Sequence, residues 1–291
     1  MRVTESMRFM MASREQARTA ENADAASRIA GSGLRVSKPS DDPVAYARRL
    51  VIDSRISDVD ARGRATSAAL DDLVTAESTL ATAGDLLSRA REIATQMANG
   101  TINAAQRATA ATELGVLRDS LISQANVRGT YGYLFSGTKT NTPAFDPAAT
   151  YQGNLESTRV EIGPGVSIST SASGSQAFTA AGGTDVFAAL SSLQTALTTN
   201  NIAGITTSIG LIDTSERQVV AERARVGQIV DTLSTSKDEF DTSNVALKAA
   251  RAATVEADSA SAYTDLVRTQ TSYQQALEVT KRILAMSAFE R

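Results

Sequence analysis

The sequence predicts a mainly α fold: a long antiparallel coiled-coil or helical-bundle rod formed by both chain ends, with a small β-rich domain inserted between them. Three observations predict it. From Ile205 every seventh residue is apolar, through Ile212, Val219, Val226, Leu233, Phe240 and Leu247. A seven-residue repeat keeps one narrow stripe of a helix facing a partner helix. Aromatic residues are only 4% of the chain and Trp is absent, which suits thin helix–helix seams better than a thick globular core. Between 135 and 183 the period falls to two and Gly, Ser, Thr and Pro accumulate, the signature of short strands and turns.

Taken in order, residues 1–30 are helix-compatible but carry a weak apolar stripe, Met7, Met10, Met11, Ala17, Ala25 and Ile29. Such a segment is expected to order only against a partner. Gly31-Ser32-Gly33 breaks it. Pro39-Ser40-Asp41-Asp42-Pro43 then reads as a helix start: Ser40 or Asp42 can accept from free backbone N–H groups, and Pro43 tolerates the first turn. The following helix has Val59, Thr66, Leu73, Leu80, Leu87 and Ala94 seven apart, with Ala69, Ala76, Ala83, Ala90 and Met97 beside them. Asn99-Gly100 is expected to stop it, since both residues tolerate the left-handed conformation. Asn103 and Gln106 read as a capping box opening a third helix, whose stripe is Ala111, Leu114, Leu117, Leu121 and Ala125.

Val160 and Ile162 alternate with polar residues, Gly163-Pro164-Gly165 turns, and Val166 and Ile168 alternate again, predicting a hairpin. Phe187, Leu190, Leu193 and Leu197 mark a short helix. The heptad helix of about 75 Å follows. With one residue of phase slip it is expected to run to the end through Val255, Ser259, Ala262, Leu266, Thr269, Tyr273, Ala276, Thr280 and Ile283. The division is therefore 1–42, a terminal-helix region paired with 251–291; 43–134, a bundle segment paired with the long heptad helix 203–250; and 135–202, the inserted β-rich outer domain. Leu73, Leu80, Leu87, Leu114, Leu121, Ile212, Val219, Val226, Leu233, Phe240 and Leu247 are expected to form the intramolecular bundle core. Met7, Met11, Ile29, Val255, Ala262, Leu266, Tyr273, Ala276 and Ile283 are expected to form an assembly seam between subunits, because their small residues bury too little apolar area to order two isolated helices.

Composition excludes several classes of function. The formal net charge is −3 with no basic stretch interleaved with aromatics, so no nucleic-acid partner is expected. Cysteine and histidine are both absent, which removes disulfides, thiolate sites, the commonest general base and the commonest metal ligand. No catalytic, cofactor-binding or metal-binding residue is expected, and the chain reads as a non-enzyme. No apolar run approaches the ~20 residues of a membrane span, and no apolar segment follows the charged N-terminus as in a cleaved secretory signal. Asp41 and Asp42 read as a helix cap rather than a catalytic dyad. Gly31 and Gly33 read as a turn rather than a phosphate loop, and Asn99-Gly100-Thr101 as a helix-ending turn rather than a glycosylation site. Tyr131, Tyr133, Phe135 and Phe145 are expected to be buried between the rod and the β-rich insert.

Several motifs carry a family resemblance. They are Gly31-Ser32-Gly33-Leu34-Arg35-Val36 with Pro39-Ser40-Asp41-Asp42-Pro43; Ala98-Asn99-Gly100-Thr101; Gln106-Arg107; Ala111-Thr112-Glu113-Leu114; Tyr133-Leu134-Phe135-Ser136-Gly137-Thr138-Lys139-Thr140; Pro143-Ala144-Phe145; Tyr151-Gln152-Gly153; and Val255-Glu256-Ala257-Asp258. In order and spacing the chain resembles the bacterial flagellar hook-associated protein 3 family, hook–filament junction proteins related to flagellin. The last residues, Met286 to Arg291, are more polar than the leucine-rich end family members often show. The resemblance implies a structural protein of the flagellum, exported unfolded by the type III export apparatus without a cleaved signal and held beforehand by an export chaperone. It implies an extracellular ring of copies at the junction, touching hook-associated protein 1 and flagellin, with the terminal helices as an inner tube. Flagellin itself and a cytoplasmic signalling coiled coil are the alternative readings.

Overall fold

The computed structural model describes residues 5–289. Its elements are α1 (Glu5–Ser32), α2 (Pro43–Met97), α3 (Ala104–Ala125), β1 (Arg128–Gly129), β2 (Gly132–Tyr133), β3 (Arg159–Gly163), β4 (Val166–Ser169), α4 (Gly174–Phe178), α5 (Val186–Thr198), α6 (Ile202–Val255) and α7 (Ser259–Phe289). The fold is mainly α, as the periodicity predicts. Two compact units partition the chain: residues 1–58 with 243–291, and residues 59–242. Among the described residues no helix is long and apolar enough to cross a membrane.

The larger unit, 59–242, holds the main core. On α2, Leu73, Leu80 and Leu87 are buried, with Ala69, Ala76, Ala83, Ala90 and Ala94 beside them; on α6, Ile205, Ile212, Val219, Val226 and Leu233 are fully buried. Each such leucine or isoleucine contributes roughly 1.5–3 kcal/mol through removal from water. The helices run antiparallel, as three side-chain ties across them require: Ser88 Oγ donates to Glu216 at 2.8 Å, Arg91 meets Asp213 at 3.4 Å, and Arg223 meets Glu77 at 3.2 Å. Leu114 and Leu121 of α3 complete this core, and α3 packs on α5. Phe240 and Leu247, the last two members of the heptad run, are only half-buried and stand outside the core they are expected to join.

Thr66 occupies one seam position of α2, between Val59 and Leu73. It is fully buried, and its Oγ has no hydrogen-bond partner among the described residues. An unpaired buried hydroxyl costs free energy that an isosteric methyl does not. Thr66→Val is therefore expected to stabilise the protein by about 1 kcal/mol and raise Tm by roughly 2–4 °C, read by thermal circular dichroism.

The capping box forms: Asn103 Oδ1 accepts from Gln106 N at 2.9 Å, and Gln106 Oε1 accepts from Asn103 N at 3.1 Å. The stop at Asn99-Gly100 differs from expectation in its geometry, because neither residue has a positive φ. The corner between α2 and α3 is closed instead by side-chain hydrogen bonds from Arg107.

The inserted stretch contains the predicted hairpin. β3 pairs antiparallel with β4, with Val160 opposite Ile168 and a bulge between Glu161 and Gly163. Gly165, at φ +74°, takes the left-handed turn position that a side chain would strain. A shorter hairpin, β1–β2, precedes it. Phe135, Phe145, Phe178 and Phe187 are buried as one aromatic cluster, with ring centroids 5.0–6.0 Å apart across the four contacts among them. Tyr133 is half-buried, and Tyr131 departs from the expected burial at 69% exposed.

The predicted helix running from the heptad repeat to the C-terminus is two helices. α6 ends at Val255 and α7 begins at Ser259. Between them Glu256 forms an antiparallel bridge with Leu34, and Ala257 N donates to Gly33 O at 2.9 Å. The linker after α1 thus takes backbone bonds that a continuous helix would keep to itself. Asp258 restarts the helix, its Oδ1 accepting from Ala260 N.

Candidate assembly surface

The smaller unit, 1–58 with 243–291, is built from the linker outward. α1 ends at Ser32, and Gly33, at φ +70°, takes the left-handed position that stops it. Arg35 N and Val36 N both donate to Val255 O, at 2.8 and 3.2 Å. This seats Val36 in a small cluster with Val255 and Ala45, against which Leu34 and Tyr46 pack. The acidic pair divides its labour. Asp41 Oδ2 accepts from Ser37 N, Ser37 Oγ and Lys38 N at 3.0–3.1 Å, closing the turn before α2. Asp42 Oδ1 accepts from Ala45 N at 3.0 Å and is the N-cap, with Pro43 as the first helical residue. Ser40, the other candidate cap, lies in the turn and caps nothing. Pro39 sits in the same turn.

Arg35 joins these pieces, reaching Asp42 at 3.3 Å and Thr254 O at 3.0 Å. Asp53 accepts from Arg49 and meets Arg251 at 2.8 Å, tying the start of α2 to the end of α6. Backbone N–H donors of Lys38 and Ser37 hold the Asp41 carboxyl below its ordinary value of 3.8, and the Ala45 N–H and the Arg35 guanidinium do the same for Asp42. A depressed carboxylate contributes stability above its unfolded value and loses it as pH falls through its folded value. Carboxyl NMR titration of the folded protein is therefore expected to give both aspartates midpoints below 3.8, with the turn and cap intact at pH 5 and released only at more acid pH.

α1 and α7 pack on each other, and the bridge at Leu34–Glu256 makes them antiparallel neighbours. Of the sequence-predicted seam, Val255 and Ala262 are buried, and Ile29, Leu266, Tyr273, Ala276 and Ile283 are half-buried. Met7 and Met11 are exposed. So are Phe9, Met10, Tyr263, Val267 and Val279 on the same two helices, and Val44, Leu50, Val51 and Val245 where α2 and α6 enter this unit. Tyr263 at 66%, Met11 at 60% and Val267 at 59% leave most of a large apolar side chain in water. On these two helices, of 28 and 31 residues, several large apolar side chains therefore remain in water.

Polar residues the periodicity did not single out fasten the other unit. Gln218, buried on α6, donates through Nε2 to Ala177 O, Thr179 O and Thr184 O at 3.0–3.1 Å, and its Oε1 accepts from Thr184 N. Buried Glu222 accepts from Ser173 N at 2.8 Å and from Arg225 at 2.7 Å, while Arg225 also donates to Ser171 O. Together they hold the insert against α6. Their signal in the sequence is position: Gln218 and Arg225 each directly precede a seam valine, Val219 and Val226.

Residues 3–140 match the bacterial flagellin N-terminal helical region. The N-terminal half is flagellin-like. Flagellar hook-associated protein 3 of Escherichia coli K12 is 32% identical over 132 residues, 45% of this chain and 42% of that relative's length, so the match spans under half of the curated protein. Beyond the flagellin-like segment the likeness lies in fold. A Vibrio parahaemolyticus protein assigned as a flagellar hook-associated protein has a TM-score of 0.68 at 23% identity, covering 74% of this chain and 99% of that one. The crystal structure of the flagellar junction protein FlgL from Legionella pneumophila gives 0.58 at 17% identity, covering 73% and 100%.

Proposed function

We propose that this protein is a structural, non-enzymatic component of the bacterial flagellum that joins the hook to the flagellin filament. The observation that carries the reading is the apolar surface of α1 and α7, left in water at Met11, Tyr263 and Val267, in a chain whose residues 3–140 are flagellin-like. Burying that surface against neighbouring copies would order the helix pair in a ring and build an inner tube, while the 59–242 unit stays folded by its own core. The neighbours on either side would be hook-associated protein 1 and flagellin. Export through the type III apparatus, with a chaperone covering α7 beforehand, fits a helix pair that leaves apolar side chains such as Met11, Tyr263 and Val267 exposed outside an assembly. The final location would be extracellular, at the junction.

The test is genetic. A strain lacking the protein should be non-motile, carry hooks without filaments and release flagellin into the medium, and the wild-type chain should restore filaments. Filaments retained on the deletion strain would overturn the proposal. The flagellin-like match at 3–140 supports a second reading, the filament subunit itself. Purified flagellin should be abundant in the cell and grow into long fibres alone, whereas a junction protein should do neither.

A further inference from the structure

The corner between α2 and α3 carries chemistry that assembly does not use. Of the asparagines in the chain, only Asn99 is followed by glycine. Asn99 and Gly100 are both exposed, and a Cβ built on Gly100 would meet no atom within 4 Å, so nothing crowds the peptide between them. Among the described residues, Gly100 N–H has no acceptor, while the side-chain oxygen of Asn99 accepts from Thr101 N at 3.1 Å and from Thr101 Oγ at 3.0 Å. Those two donors hold the carboxamide beside its own following peptide and draw electron density from its carbonyl carbon. Other asparagines are occupied differently: Asn103 and Asn201 cap helices, Asn126 clamps the Phe145 backbone, and each precedes a residue with a side chain.

We infer that Asn99 is a self-modification site, converting in the folded protein to isoaspartate and aspartate. Gly100 N attacks Asn99 Cγ; the N–Cγ bond forms, the Cγ–Nδ2 bond breaks, and Nδ2 leaves as ammonia with the proton from Gly100. Water then opens the cyclic imide, at the backbone carbonyl to give isoaspartate or at Cγ to give aspartate. No oxidant, metal or enzyme enters the balance. The product matters because Asn99 O accepts from Arg107 Nη2 at 2.9 Å. Routing the chain through Cβ and Cγ in isoaspartate displaces that carbonyl and loosens the corner.

The experiment incubates the full-length folded protein at mildly alkaline pH and follows every asparagine by peptide mapping and by methyl transfer from an isoaspartyl methyltransferase. Asn99 should convert at least about tenfold faster than any other asparagine, a barrier difference of about 1.4 kcal/mol. Gly100→Ala should slow it by about tenfold or more. This variant keeps the fold, since φ at Gly100 is not positive and the added Cβ has open space. The same measurement on the urea-unfolded chain supplies the second arm. Conversion of Asn99 only after unfolding, or at the same rate as the other asparagines, would overturn the inference.

Discussion

Arg107→Ala is expected to lower stability by about 3 kcal/mol, a fall in Tm of roughly 10 °C for a unit of this size, read by thermal and urea denaturation. The side chain is only 2% exposed on α3, yet among the described residues no carboxylate pairs with it. Its fork is satisfied by oxygens at two chain corners: Nε donates to Met97 O at 3.0 Å, Nη2 to Asn99 O at 2.9 Å, and Nη1 to the side-chain oxygen of Asn200. Met97 and Asn99 stand at the C-terminal end of α2, where carbonyls lack helical partners and favour a cation. Asn200, at φ +54°, is the left-handed residue between α5 and α6. One arginine therefore closes the α2–α3 corner and ties it to the α5–α6 corner. Arg107→Lys should fail to rescue, because an ammonium cannot reach three acceptors in a fork. Asn200→Gly keeps the backbone conformation, removes one acceptor and should cost about 1 kcal/mol. An alanine variant as stable as wild type would refute this account of the corner.

Phe145→Ala should cost about 3–5 kcal/mol, the range for emptying an aromatic site in a packed interior. Phe145 is 1% exposed and its ring touches Phe178, Phe187 and Tyr151. Its backbone is clamped by Asn126, which accepts from Phe145 N at 2.9 Å and donates to Phe145 O at 2.8 Å. Losing the ring removes the centre of the cluster that joins the inserted stretch to α5. The aromatic near-ultraviolet signal should collapse while most far-ultraviolet helicity stays, because the Leu73–Leu87 and Ile212–Leu233 seams do not include it. Phe145→Leu keeps most of the apolar volume and should cost less than half as much. Equal losses for the two variants would show that the site is not filled as the ring contacts indicate.

These two residues mark the boundary of what sequence reading reaches. Phe145 was legible as a buried aromatic, since few aromatics exist and four cluster near one composition change. Arg107 was legible only in part. It stands on the same helical stripe as Ala111, Leu114 and Leu121, so its burial is implied by spacing, but its acceptors lie 8 to 93 residues away along the chain. Gln218 and Glu222 were missed for the same reason, because a polar residue beside a seam looks like a solvated face until another segment is laid over it. Tyr131 failed in the opposite sense: an aromatic next to buried ones stayed in water.

Local pattern by itself determined most of the helices, the hairpin and the capping box at Asn103 and Gln106, since each depends on residues within a few turns of one another; it left Ser40 and Asp42 both open as the cap before α2. Tertiary structure alone decided where the C-terminal helix breaks. The stripe continues through Val255 to Ala262, and only the arrival of the 33–36 linker ends the helical ladder there: Val255 O accepts from Arg35 N and Val36 N, and Ala257 N donates to Gly33 O. It also decided which seam residues close inside the chain and which remain exposed. A heptad records that a helix needs a partner; only the folded chain shows how much of that need it meets itself.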